Sequence, residues 1–228
     1  MPKLTIAQNI LAANDTYAAG IRQALAPRHI FSINFMSSPG AGKTALLERT
    51  IERLGGQLQI GVIEGDVETS ADAERIEAAG ASETVQINTR GNCHLEAHMV
   101  QAALDQLDLD RVELLIIENI GNLICPNAWD LGEDLRVVIT STTEGDDKPS
   151  KYPQMFADAQ VVVINKIDLL PYVDYDLEKA RRQVLALNPQ VRFFEVSCRT
   201  GAGLVEWCDW LADFARREVT SGSKELQR

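Results

Sequence analysis

Apolar positions change period along the chain. Over the first 26 residues Ile10, Leu11, Tyr17, Ile21 and Leu25 recur at helical spacing, and Pro27 closes the pattern. The spacing predicts an amphipathic helix within 1–28, packed on the domain that follows. From residue 29 onward, short apolar runs alternate with helical stretches. The runs at 30–36, 59–64, 83–88, 112–118, 136–140, 161–165 and 191–196 predict strands. Several are apolar on consecutive residues, "LLII" and "VVVI" among them, as in strands covered on both faces. Helical patterns at 44–54, 71–79, 93–107, 174–187 and 203–217 fall between or after them. The alternation predicts an α/β fold over 29–218, a three-layer domain with a mainly parallel sheet and helices on both faces. Residues 219–228, ending in "TSGSKELQR", read as a flexible tail.

The first strand runs into "SSPGAGKT", and a helix follows. This is close to the phosphate-binding pattern G-x-x-x-x-G-K-[ST], with Ser37 where the first glycine belongs. A small residue serves there if its backbone is not left-handed. Gly40, Ala41 and Gly42 let backbone N–H groups face phosphates, and the helix N-terminus adds its positive end. Lys43 is placed for the β- and γ-phosphates and Thr44 for Mg²⁺. Taken alone, the stretch also fits a glycine-rich connector.

Three further pieces stand at strand ends. "VVVINKID" delivers Asn165, Lys166 and Asp168, an N-K-x-D like the guanine-reading motif of GTPases. The Asp168 carboxylate only accepts, which suits the two N–H donors of guanine's N1 and 2-amino group. "IIENIG" delivers Glu118 and then Gly121, similar to the E-x-x-G of the signal-recognition-particle and MinD-like class. There the acid holds Mg²⁺ and the glycine N–H meets the γ-phosphate. "EVSCRTGAG" places Ser197 and Cys198 as a loop closing over guanine O6, with Arg199 where lysine is common. Each piece also has a bland reading as a turn or surface ion pair. In this order, they describe a GTP- or GDP-binding domain.

Composition narrows the setting. The chain has 228 residues and a net charge of -11, which argues against nucleic acid as a partner. No apolar run approaches the ~20 residues of a membrane helix, and no signal-peptide pattern opens the sequence. A cytoplasmic protein with reduced cysteines is expected.

GTP binding leaves "NTRGNCHLEAHMV" unused. Cys93 and His94 are adjacent, and His98 follows at i+4 from His94 on the predicted helix. Thiol and imidazole together suit Ni²⁺ or Zn²⁺ rather than Mg²⁺. A helix start with one buried thiol and two solvated histidines is the plain alternative. Cys125, in "ENIGNLICPNAW", adds a second thiol just beyond Gly121, and Pro126 predicts an extended backbone there. Cys198 and Cys208 read as structural.

The segments "EGDVETSADAERI", "GNCHLEAH", "ENIGNLICP", "DLGE" and "TTEGDDKPSKYP" resemble the hydrogenase nickel-incorporation GTPases, the HypB family, within the SIMIBI class of P-loop NTPases. The likeness runs from about residue 30 to the last helix. It implies a slow GTPase that dimerises with GTP and passes Ni²⁺ towards the [NiFe]-hydrogenase large subunit with a HypA-like chaperone. It implies Cys93, His94 and Cys125 as Ni²⁺ or Zn²⁺ ligands, with His98 a further candidate. It also places Asp66 in the first switch, near Mg²⁺ and the attacking water. Some members carry an N-terminal Cys motif or His-rich tract; residues 1–28 hold neither Cys nor His, which argues against nickel storage. A urease-type nickel GTPase, a P-loop kinase and a passive metal-binding protein remain alternatives.

Overall fold

A computed structural model describes residues 6–66 and 71–225. Its strands are β1 (Phe31–Ser37), β2 (Ile60–Asp66), β3 (Glu83–Asn88), β4 (Leu114–Gly121), β5 (Leu135–Ser141), β6 (Val161–Asn165) and β7 (Arg192–Glu195). They form one sheet in the order β3-β2-β4-β1-β5-β6-β7, and each neighbouring pair is parallel. The helices are α1 (Ile6–Leu25), α2 (Lys43–Leu54), α3 (Ala71–Ala78), α4 (Ala97–Leu104), α5 (Lys148–Lys151), α6 (Pro153–Ala157), α7 (Leu177–Leu187) and α8 (Leu204–Glu225).

The consecutive apolar residues divide between the two faces, as side-chain alternation in a strand requires. Leu114 and Ile116 of β4 join Leu46, Leu47 and Ile51 of α2 and Trp207 and Leu211 of α8 in one core. Leu115 and Ile117 point the other way, into a second core with Ala18, Ile21 and Leu25 of α1 and Val100 and Leu104 of α4. Val138 of β5 and Val162 and Ile164 of β6 build a third core under α6 and α7. The sheet is therefore covered on both sides. The three-layer α/β fold expected above is the one observed.

α1 packs on α4, but its apolar pattern misleads in part. The inward stripe is Asn14, Ala18, Ile21 and Leu25, while Ile10, Leu11 and Tyr17 face solvent. Asn14 takes an inward position because its amide finds two backbone partners, which offsets its burial. At the other end α8 continues to Glu225, through residues expected to be a flexible tail. No proline interrupts it, and the lone Gly222 costs only about 1 kcal/mol in a helix. Residues 226–228 of that tail lie outside the described residues.

β1 ends at the sheet's centre, and the chain crosses from it towards β2 on one side and from β4 towards β5 on the other. Open α/β sheets bind ligands in the crevice beyond such carboxyl ends. The sequence motifs gather along this edge.

Candidate functional site

The turn from β1 into α2 has the geometry of a phosphate cradle. Gly40 and Gly42 take left-handed backbone angles, with φ 78° and 97°. At Gly42 a Cβ would also lie 2.4 Å from Asn165 Nδ2, so glycine is required there twice over. Ser37 is not among the residues with positive φ; it remains in strand pairing with β4 and β5. A left-handed glycine is therefore unnecessary at that position. Gly121, at the end of β4, comes so close to the loop that an added Cβ would stand 3.1 Å from Pro39 Cα.

Beneath the loop, buried charge concentrates. Thr44 Oγ1 donates to Glu118 Oε1 at 2.7 Å, and Lys43 Nζ pairs with the same oxygen at 3.3 Å. Asp72 Oδ2 stands 3.2 Å from the Thr44 hydroxyl. Glu64 is the strand neighbour of Glu118, and both acids are 2% exposed. One oxygen of each, Glu64 Oε2 and Glu118 Oε2, is buried without a hydrogen-bond partner. Burial is the main cause raising the Glu64 carboxyl to about pKa 8, and the charges of Glu118, Asp66 and Asp72 add to it. Burial raises Glu118 as well, against the opposing pull of Lys43 and Thr44. With Gly40, Gly42, Lys43, Asp66 and Arg75 these groups line a cleft of about 490 Å³. A hard divalent cation with oxygen ligands fits them, because it would satisfy the orphaned carboxylate oxygens and remove their repulsion. Residues 67–70 of the "EGDVETSAD" segment lie outside the described residues.

A second cleft of about 330 Å³ adjoins the first, lined by Ala45, Asn165, Lys166, Asp168, Cys198 and Arg199 among others. Asn165 Nδ2 donates to Ala41 O at 3.0 Å, and Lys166 Nζ donates to Gly40 O at 2.7 Å. N-K-x-D is thus tied directly to the phosphate loop. Lys166 needs a left-handed φ of 62° to reach, and Thr142 Oγ1 secures its carbonyl at 2.7 Å. Ser197 Oγ donates to Asp168 Oδ1 at 2.6 Å and fixes the carboxylate's direction. The Cys198 N–H donates to Asn165 Oδ1 at 3.3 Å, and burial pushes the thiol up to about pKa 11. Cys198 remains a neutral wall of the cleft.

The third assembly lies beyond Gly121. Ligand atoms of Cys93, His94 and Cys125 lie within 4.8 Å of one another, with Cys93 exposed and the other two half-buried. Cys93 Sγ faces His94 Nδ1 at 3.7 Å. The His94 ring stacks on Trp129, with centroids 4.6 Å apart and planes 20° from parallel. Burial lowers the His94 pKa against the pull of Glu96, which keeps a neutral imidazole available to a metal. A hydrogen bond to Cys125 heads the causes that raise the Cys93 thiol, so bound metal would displace protons here. The set of two thiols and an imidazole fits a borderline-soft divalent ion.

Two expectations for this region change. His94 and His98 do not share a helix face, because α4 starts only at Ala97, with Glu96 as its N-cap. The Leu95 and Ala97 N–H groups are taken by the Asn119 and Asn14 side chains, which hold the preceding segment out of the helix. His98 turns instead to Glu96 Oε2 at 3.3 Å and lies against Tyr17. Nor does Cys125 leave in extended form; it opens a short 3-10 turn, Cys125–Ala128. Asn122 Oδ1 folds the chain back by accepting from the N–H groups of Ile124 at 2.8 Å and Cys125 at 3.4 Å.

The family model described as "CobW/HypB/UreG, nucleotide-binding domain" matches residues 32–195. The hydrogenase maturation factor HypB of Azotobacter vinelandii is 50% identical over 208 residues, covering 91% of this chain and 68% of that protein. The chain belongs to the HypB family. The crystal structure of HypB from Archaeoglobus fulgidus matches with a TM-score of 0.84 and 43% identity over 90% of this chain and 100% of the other. HypB from Helicobacter pylori in complex with nickel matches with a TM-score of 0.86 and 35% identity over 91% and 97%. Membership in the HypB family accounts for the nucleotide-binding loop and the sheet that carries it. Sequence reasoning had passed over Glu64, Asp72, Asn119 and Trp129. For Glu64 a signal existed, since it and Glu118 are both acids at the ends of apolar strands. Trp129 and Asn119 gave none, because their roles depend on contacts across the fold.

Proposed function

We propose that this chain is a slow GTPase that carries nickel for [NiFe]-hydrogenase maturation. The observation that carries the reading is the placement of two sites on one strand exit. β4 presents Glu118 and Gly121 to the phosphate cleft, and the same chain reaches Cys125 four residues later. Lys43 binds the β- and γ-phosphates, while Gly40, Ala41 and Gly42 turn backbone N–H groups to them. Thr44, Glu118 and Asp66 hold Mg²⁺, which when bound neutralises charge on the phosphate oxygens. Asp66 also orients the attacking water. Asn165, Lys166, Asp168, Ser197 and Cys198 select guanine. A slow rate is supported by Arg75, the arginine lining the phosphate cleft. It is tied to Glu48 at 2.8 and 2.9 Å and to Asp72 at 2.7 Å, so it is not free to meet a transferring phosphoryl group.

Nickel is cargo in this reading. Cys93, His94 and Cys125 receive it, with Zn²⁺ as the competitor for the same ligands. GTP favours a homodimer, and the metal passes onward with a HypA-like chaperone to the hydrogenase large subunit. The proposed work is cytoplasmic; among the described residues no helix is long and apolar enough to cross a membrane.

The test uses one purified sample. Phosphate release should be faster from GTP than from ATP. Nickel binding should disappear in Cys93→Ala and in Cys125→Ala while GDP binding survives. Equal use of ATP and GTP would overturn the guanine assignment. Unchanged nickel binding in both cysteine variants would remove these thiols from the nickel site and put the metal elsewhere on the chain.

A further inference from the structure

Asn14 is the polar member of an otherwise apolar stripe, and it is only 5% exposed. Its side chain makes two hydrogen bonds to segments far away in sequence. Oδ1 accepts from the Ala97 N–H at 2.8 Å, at the start of α4. Nδ2 donates to the Asp130 carbonyl at 2.7 Å. His94 lies three residues before Ala97, and Trp129, which stacks on the His94 ring, directly precedes Asp130. One amide group therefore spans the backbone that carries the imidazole and the backbone that carries its stacking partner. Arg22, two turns further along α1, strengthens the second hold by a bidentate pair to Asp130 at 2.6 and 2.9 Å.

We propose that Asn14 is a positioning residue for the metal site, through which the N-terminal helix sets the orientation of the His94 imidazole. This rests on the reading of Cys93, His94 and Cys125 as nickel ligands. Ordering a ligand ring before the metal arrives lowers the cost of binding, and partners outside the ligand set commonly govern affinity by about 10–100-fold. A simpler role would be capping α4 alone. The two roles separate chemically, because only the bridge uses both ends of the amide.

Asn14→Asp separates them in the laboratory. Aspartate still accepts from the Ala97 N–H and suits a helix N-terminus, so the cap survives. It has no donor for the Asp130 carbonyl and sets an oxygen against it. Nickel titration of the full chain, followed by thiolate-to-nickel absorption, should show about 10–100-fold weaker binding and a shifted band in Asn14→Asp. GDP affinity should stay near wild type. The melting temperature should fall, because the new carboxylate is buried against the Asp130 carbonyl. The titration is therefore run well below that temperature, where the chain remains folded. Asn14→Ala should lose at least as much nickel affinity, and Asn14→Gln should not restore it, because its longer arm misplaces both bonds. Wild-type nickel affinity and spectrum in Asn14→Asp would overturn the bridge and leave a helix cap. If the wild type shows no thiolate-to-nickel band, the metal reading itself fails and takes this assignment with it.

Discussion

Thr44 and Glu118 meet at 2.7 Å, hydroxyl to carboxylate, with Lys43 on the same Oε1. One carboxylate oxygen thus gathers the hydroxyl that would meet Mg²⁺ and the lysine that would meet a phosphate. Glu118→Gln keeps an acceptor for Thr44 but removes the charge. GDP should bind it with little change when Mg²⁺ is absent, while most of the tightening that Mg²⁺ brings should vanish. Calorimetric titration with and without Mg²⁺ reads both quantities. A full Mg²⁺ effect in the variant would remove Glu118 from the cation site.

The neighbouring acid gives a pH signature. The Glu64 carboxyl is held at about pKa 8, far above its ordinary 4.5, so the folded chain binds that proton more tightly than the unfolded chain. Its contribution to stability is complete below pH 4.5 and is lost as pH rises towards 8. The nucleotide-free protein should melt at progressively lower temperature between pH 5.5 and 8.5. Glu64→Gln should flatten that slope and stabilise the chain most at the alkaline end. Thermal unfolding across this range is the measurement. A slope equally steep in Glu64→Gln would mean that other groups control it.

Much of this molecule was readable because the signals were local. "VVVIN" became β6 with the bounds expected, since a run of branched apolar residues has few other uses. N-K-x-D and G-K-T were legible because each sits within one turn at a strand end. What could not be read depends on contacts between distant segments. Asn14 resembled any polar residue on an exposed helix until its partners at Ala97 and Asp130 appeared, 83 and 116 residues away. The same bonds explain the misplaced start of α4. Helix periodicity included His94, but side chains from α1 and β4 hold the preceding backbone elsewhere.

Base choice depends on Asp168. Its carboxylate is oriented by Ser197 and offers only acceptors to guanine's two donors. Asp168→Asn turns one acceptor into a donor that opposes the guanine 2-amino group. GTP binding should weaken by at least ~2 kcal/mol, while xanthosine triphosphate, with a carbonyl at that position, should gain. Competition between the two nucleotides in wild type and variant gives the answer. Unchanged GTP affinity in Asp168→Asn would place the base elsewhere.

The last prediction joins phosphate to metal. Gly121 faces the phosphate loop, and Cys125 follows within a reach of at most about 14 Å of chain. Between them Asn122 locks the turn through the Ile124 and Cys125 N–H groups, so movement at one end is carried to the other. Three ligands from one chain leave a four-coordinate ion incomplete. A second copy meeting it across a two-fold axis would supply thiols from an identical patch. Ile124, 68% exposed beside Cys125, gives that patch an apolar element. The expectation is that nickel and a non-hydrolysable GTP analogue together produce dimers, and that GDP allows them to separate. Reciprocity then requires nickel to tighten binding of the analogue by the factor by which the analogue tightens nickel. Ile124→Asp should weaken the dimer, and Cys125→Ala should abolish its dependence on nickel. Sedimentation and nickel titration in both nucleotide states test this. The same oligomer and the same nickel affinity with GDP and with the analogue would show two independent sites on one chain.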